Sequence, residues 1–266
     1  DMSLSGSFLQ DGGGSVRTSA DITTSNDDIT FTDDVVVRQS IRFDTGAGAG
    51  GLTFASSLNG TNDCQEDLTL ALGMGDALFQ DAVGGLVGLG DIVVENAADV
   101  QFESSLVASS IAQTDGSGET RFDGPVTIKT ALGVDLTTAS VTINKAFSSS
   151  TASGPVRIVA SNDITVNGVV TSGTAAVNLS ADDDILFGAS GAITTTNAGV
   201  TIRADADGSM NGFGGAVLMT DGAFVNAGSG EIDFSADENI QLGRLVTTTL
   251  VRLTSTSGGI VDGGDS

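Results

Sequence analysis

The feature that most constrains this chain is a recurrence. The stretch "SNDDITF" at 25–31 returns as "SNDITV" at 161–166, "SADDDILF" at 180–187 and "SADENIQL" at 235–242. Taking the last residue of each such segment as an anchor gives Phe8, Phe31, Phe54, Phe79, Phe102, Phe122, Ile143, Val166, Phe187, Met219 and Leu242. Successive spacings are 23, 23, 25, 23, 20, 21, 23, 21, 32 and 23 residues. A period this steady means one structural unit repeated along the chain.

Within each unit the residues alternate. "DITF", "GLTF", "DVQF", "SVTI" and "DILF" place apolar side chains at the anchor and two before it, with Thr30, Thr53, Gln101, Arg121, Thr142, Thr165 or Gln241 pointing the other way in their segments. A period of two is that of a strand with one dry face. A second series keeps step with the first and ends at Phe43, Leu70, Val94, Ile158, Leu179, Ile202, Phe234 and Leu253. A third apolar position falls four after most anchors, at Val35, Leu58, Val83, Leu106, Val126, Phe147, Val170 and Val246. Three short strands per period of 20-odd residues describe an all-β, right-handed parallel β-helix, a solenoid of roughly eleven coils spanning 1–266. Strands spaced ~4.8 Å apart would stack these coils into a rod on the order of 50 Å long. A β-sandwich gives no reason for so regular a ladder.

Composition agrees. There are 37 glycines, 2 prolines and no Trp, Tyr or His, a mixture suited to short strands and Asx- or glycine-bearing turns. Pro125 and Pro155 each stand in "GPV" at a strand start, where a missing N–H is tolerated. The net charge of −24, from 34 acidic and 10 basic residues, opposes nucleic-acid phosphates. No apolar run has membrane-spanning length, so no membrane insertion is expected. Cys64 is the only cysteine and reads as a buried, inert thiol. The opening "DMSLSGSFLQ" lacks the pattern of a signal peptide. Phe8 and Val261 stand in phase with the ladder at either end, and no amphipathic helix covers them. The expectation is a segment of a longer repeat protein, or a coil stack whose ends join identical copies.

The tracts "GSFLQDGGGSVRTSADITTSNDDITFTDDVVV", "FDTGAGAGGLTF" and "IRADADGSMNGFGGAV" resemble the β-strand-repeat shafts of filamentous haemagglutinin-like proteins of Gram-negative bacteria. That resemblance implies a secreted or cell-surface β-helix, often one portion of a very large polypeptide.

Several positions invite a functional reading. Asp28, Asp76, Asp99, Asp163 and Asp184 stand three before an anchor, with Glu119 and Asn239 in equivalent places. Stacked, they repel by about 1 kcal/mol per pair in water. They should therefore face solvent, cap turn N–H groups or hold a cation. No cofactor is expected, with structural Ca²⁺ between coils as the alternative. The 32-residue spacing contains a glycine-rich excursion near 204–215, whose Asp205 and Asp207 lack the closing glutamate of a calcium loop. Catalysis is not expected: there is no imidazole base, and a sugar cleft would want the missing aromatic platforms. "ITTTNAG" and "LVTTTLV" form no regular threonine grid, which argues against ice binding. Leu186 and Leu218 point outward in successive coils and are candidates for a lateral contact between chains. The expectation is a structural extracellular rod: an adhesin shaft, surface fibre or matrix element. A self-assembling filament subunit or a carbohydrate-acting β-helix enzyme are the alternatives.

Overall fold

A computed structural model describes residues 1–149, 153–208 and 214–263. The chain is all-β, a parallel solenoid of about 12 turns with three sheets and no helix among the described residues. It divides into two compact units, Asp1–Lys129 and Thr130–Ser266, both built from the same coil.

In the first unit, the anchor sheet runs through Phe8–Gln10, Ile29–Phe31, Leu52–Phe54, Ala77–Phe79, Val100–Phe102 and Glu119–Phe122. Phe31, Phe54, Phe79, Phe102 and Phe122 fall in one register column. Their rings stack within 8° of parallel, with centroids 4.6 to 5.4 Å apart. Phe43, from the second series, meets Phe31 and Phe54 edge-on, 5.7 Å from each. Each such pair adds ~0.5–1.5 kcal/mol to the burial of its rings. One coil is shorter because two strands fuse. Leu106 to Gln113 is a single eight-residue strand, carrying both the third-series Leu106 and the second-series Gln113. Losing that turn accounts for the spacing of 20 between Phe102 and Phe122. Where the preceding coil does turn, Gly84 has φ of 68°, and a Cβ there would lie 2.1 Å from the Val107 carbonyl oxygen.

The first coil departs from the expected register. Phe8 pairs with Ile29, and Gln10 stands opposite Phe31. Phe8 therefore belongs to the column two before the anchor and leans its ring onto Phe31 at 52°. The anchor place is polar because Gln10 bonds outward: its Nε2 donates to Asp33 Oδ2 at 2.7 Å.

In the second unit, the anchor sheet comprises Ser140–Ile143, Ile164–Val166, Ile185–Phe187, Val217–Met219, Ile240–Leu242 and Ile260–Asp262. Ile143 stacks on Val166, Val166 on Phe187, and Phe187 on Met219. Leu242 is only half-buried, and its far neighbour in the column is Asp262. Val261, which the spacing places in phase, instead pairs with outward Gln241 and is exposed. Leu245, rather than Val246, continues the third column from Val225. One residue fewer separates it from its anchor, so Val246 turns to solvent. The second-series sheet of this unit is regular. Val134–Thr138, Val156–Ala160, Val177–Ala181, Val200–Ala204, Ile232–Ala236 and Val251–Ser255 pair without a bulge. The 32-residue spacing is a long connection from Ala204 to Val217, and its central residues 209–213 lie outside the described residues.

The core is not wholly apolar. Gln113 occupies the place that continues the Leu70–Val94 column, and Thr120 the place that continues the Ala77–Val100 column. Both are buried, and Thr120 Oγ1 donates to Gln113 Oε1 at 2.6 Å. The two polar intrusions satisfy each other, which removes most of the cost of burying either.

Replacing Phe79, the middle ring of the stack, with alanine should cost about 3–5 kcal/mol. Phe8→Ala should cost clearly less, because Phe8 is half-exposed. Hydrogen exchange at the amides of 77–79 and 100–102 reads the difference, and equal losses in the two variants would contradict the register of the first coil.

Candidate functional site

The acidic bends form the first candidate. They stand where the chain turns into the anchor strand, and there the backbone N–H of one coil faces the side chain of the coil before it. Asp28 Oδ1 accepts the Gly51 N–H at 2.8 Å, Asp76 Oδ1 that of Asp99 at 3.0 Å, and Asp99 Oδ1 that of Glu119 at 2.7 Å. The second unit repeats the device: Asp163 accepts from Asp184, Asp184 from Ala216, and Asn239 from Gly259, at 2.9 to 3.0 Å. Stacked carboxylates thus alternate with N–H donors, and charge-assisted hydrogen bonds oppose their repulsion. One oxygen of each acid is used. The Oδ2 atoms of Asp28, Asp76 and Asp99 take no hydrogen bond among the described residues.

Other corners use acids in the same way. Asp34 accepts from the Ser56 hydroxyl at 2.6 Å, the Ser57 hydroxyl at 2.8 Å and the Ser57 N–H at 3.2 Å, which hold its carboxyl below the usual range. Asp33 is lowered chiefly by Gln10, with help from the Gly12 and Gly13 N–H groups. In the loop leading to Leu68, buried Glu66 accepts from the Thr61 and Asn62 N–H groups and from Asn62 Nδ2 at 2.7 Å. Burial pushes this carboxyl up, but those donors outweigh it and its pKa falls. Asp63, in the same loop, is lowered first by Lys129, whose Nζ lies 2.8 Å from Oδ1. Cys64 is half-buried rather than buried, with φ of 60°. Burial and then the Asp63 charge push its thiol up, away from the nucleophilic thiolate.

The second unit contains the opposite electrostatic case. Asp182 and Asp183 lie close to the described start of the 204–215 excursion. Burial raises both, reinforced for Asp182 by Asp207, Asp183 and Asp205, and for Asp183 by Asp163, Asp184 and Asp207. Among the described residues, no group of three or more His, Cys, Asp or Glu side chains is placed to hold a metal ion.

Two surfaces remain. Leu186 and Leu218 are direct register neighbours, both half-buried, with Thr165 and Gln241 on either side. They make a two-residue apolar strip on the anchor sheet of the second unit. The outward face of the second-series sheet in that unit carries Arg157, Arg203 and Arg252. Arg157 and Arg203 border a shallow groove of about 350 Å³ floored by Asn178, Ser180 and Thr201. Arg203 and Arg252 border the next, of about 380 Å³, with Asp233 and Ser235. Neither this face nor the Gln113–Thr120 pair was reached from the sequence. The parity of "PVRI", "TIRA" and "LVRL" already points those arginines outward, but their alignment requires the coil register.

Comparison of this chain with family models, with curated proteins and with solved structures finds no match.

The two units should respond oppositely to acid. The lowered Asp33, Asp34, Asp63 and Glu66, together with Glu95, lowered by the Arg42 guanidinium 2.6 Å from its Oε1, stabilise the first unit above their unfolded values, taken as 3.8 for Asp and 4.5 for Glu. That contribution is lost as pH falls through their folded values, which lie lower still. Raised Asp182 and Asp183 cost the second unit stability at neutral pH, and the cost is relieved as pH falls through their folded values toward 3.8. Hydrogen exchange corrected for intrinsic rates should show protection around 182–187 rising between neutral pH and 3.8. Protection around 33–35 should fall only below 3.8, and that around 61–66 only below 4.5. The reverse order would refute the assignment.

Proposed function

We propose that this chain is a structural element, a stiff extracellular β-helical shaft that serves as part of an adhesin, surface fibre or matrix. The observation that carries the reading is the double tie between successive coils. In each unit a column of buried side chains and a ladder of Asx-to-backbone hydrogen bonds join coil to coil. Such a stack resists shear coil by coil, and its energetics depend on nearest neighbours. The acidic exterior keeps it soluble.

The partners fitting this reading are more of the same polypeptide, or identical copies, stacked end to end. The in-register pairing of coil on coil within each unit is the interaction that such partners would extend. Leu186 and Leu218 supply a lateral contact between copies. The resemblance to filamentous haemagglutinin-like shafts supports a location at the bacterial cell surface or outside it.

The purified chain should release no soluble sugar from polysaccharides. Electron micrographs and sedimentation should show assemblies that shrink in the variant Leu186→Asp, Leu218→Asp. Sugar release that disappears on replacing a single aspartate would replace this reading with an enzymatic one, and assemblies unchanged in the double variant would remove the leucine contact.

A further inference from the structure

The arginines of the second unit have a spacing that the rest of the molecule can match. Along the second-series sheet, Arg157 aligns with Asn178 and Asn178 with Thr201; Arg203 lies two residues beyond Thr201 on the same strand. Two coils further on, Arg252 returns to the first column through Asp233. The three guanidinium groups therefore stand on every second coil, about 10 Å apart along the stack. Arg157 is bonded to Asp135 at 2.5 Å. Arg203 and Arg252 form no ion pair among the described residues, in a chain of net charge −24. Asp233, adjacent to Arg252 in register, does not close one.

An unpaired guanidinium is a planar fork suited to a carboxylate. A matching row of carboxylates exists in the first unit, on the acidic ridge. The residues preceding five successive anchor strands are Asp28, Gly51, Asp76, Asp99 and Glu119. Its first, third and fifth places are Asp28, Asp76 and Glu119, again two coils apart and again about 10 Å. Asp28 and Asp76 keep Oδ2 outside the ladder. Both rows inherit one rise from the same coil: Arg157 and Arg252 share a column, as Asp28 and Glu119 do. Arg203 stands two residues aside, roughly 7 Å, and leans across to Asp76, and Arg157 exchanges Asp135 for its new partner.

We infer that the arginine face of one chain docks the acidic ridge of a second copy, side by side, with Asp28, Asp76 and Glu119 set against the three arginine rows. The contact joins two different surfaces, so it propagates from copy to copy unless a rotation closes it. It is distinct from the leucine strip, which lies on another sheet. Single exposed ion pairs are weak, and the contact gains strength from their repetition. The inference rests on the structural reading above and extends it to how shafts lie together.

The test uses two charge-reversed full-length variants, Arg203→Glu with Arg252→Glu, and Asp76→Lys with Glu119→Lys. Circular dichroism first establishes that each folds. In sedimentation at low ionic strength, each variant alone should form clearly smaller assemblies than the wild type, keeping only the contacts proposed above. Their mixture should associate at least tenfold more tightly than either alone, since every reversed face then meets an opposite charge. General repulsion between acidic chains cannot produce that recovery. A mixture no more associated than its components would overturn the inference, even with the chain still inert toward polysaccharides. So would a wild type that stays monomeric yet binds poly-L-glutamate through Arg203 and Arg252, which would assign the face to a separate anionic polymer.

Discussion

Everything in this molecule depends on parallel strands stacking in register, one coil on the next. Once Phe54 lies over Phe31 and Phe79 over Phe54, each coil supplies the floor on which its neighbour packs. No coil has a core of its own. Backbone pairing holds the rise at about 4.8 Å, and aromatic rings stacked within 8° of parallel suit that rise without strain. The constraint also explains the tolerance for long connections. The residues between Ala204 and Val217 extend one coil, yet Ile185 still pairs with Val217 and Val200 with Ile232.

The same rise organises the polar groups. A side chain at a corner meets the equivalent corner of the next coil, and an aspartate there finds a backbone N–H within hydrogen-bonding distance. This gives an acid-rich solenoid a use for its charge. The stacked carboxylates that would otherwise repel become acceptors for N–H groups at the entrances to the strands. Around Asp182 and Asp183, burial, reinforced by the neighbouring acids, pushes the carboxyls up instead. The repeated rise also sets outward groups at a fixed step, as it does for Arg157 and Arg252 in one column of the second-series sheet.

Much of this was legible in the residues. Alternation within strands identified the inward faces, and the anchor spacing identified the columns from Phe31 to Phe122. The ends were less legible. Phe8 has the expected residue type and lies close to the expected spacing, but the register places Gln10 in that column, because the Asp33 carboxylate outside rewards a polar side chain there. Val261 fails for a similar reason: its neighbour Gln241 faces outward, and near the last strand little packing opposes a shift of one place. Cys64, expected to be buried, sits half-exposed on a loop that Glu66 closes from within.

The sequence by itself determined that the chain forms three-stranded coils and which side chains face inward, because both follow from local periodicities of two and of about 23. Tertiary structure alone decided which residues of different coils meet. The partnering of Gln113 with Thr120, the grip of each aspartate on the next coil, and the alignment of Arg157, Arg203 and Arg252 all depend on how many residues each turn consumes. A slip of one residue within a strand turns its side chains to the opposite face, whereas the turns absorb differences in length, so which residues meet is settled only when the coils pack.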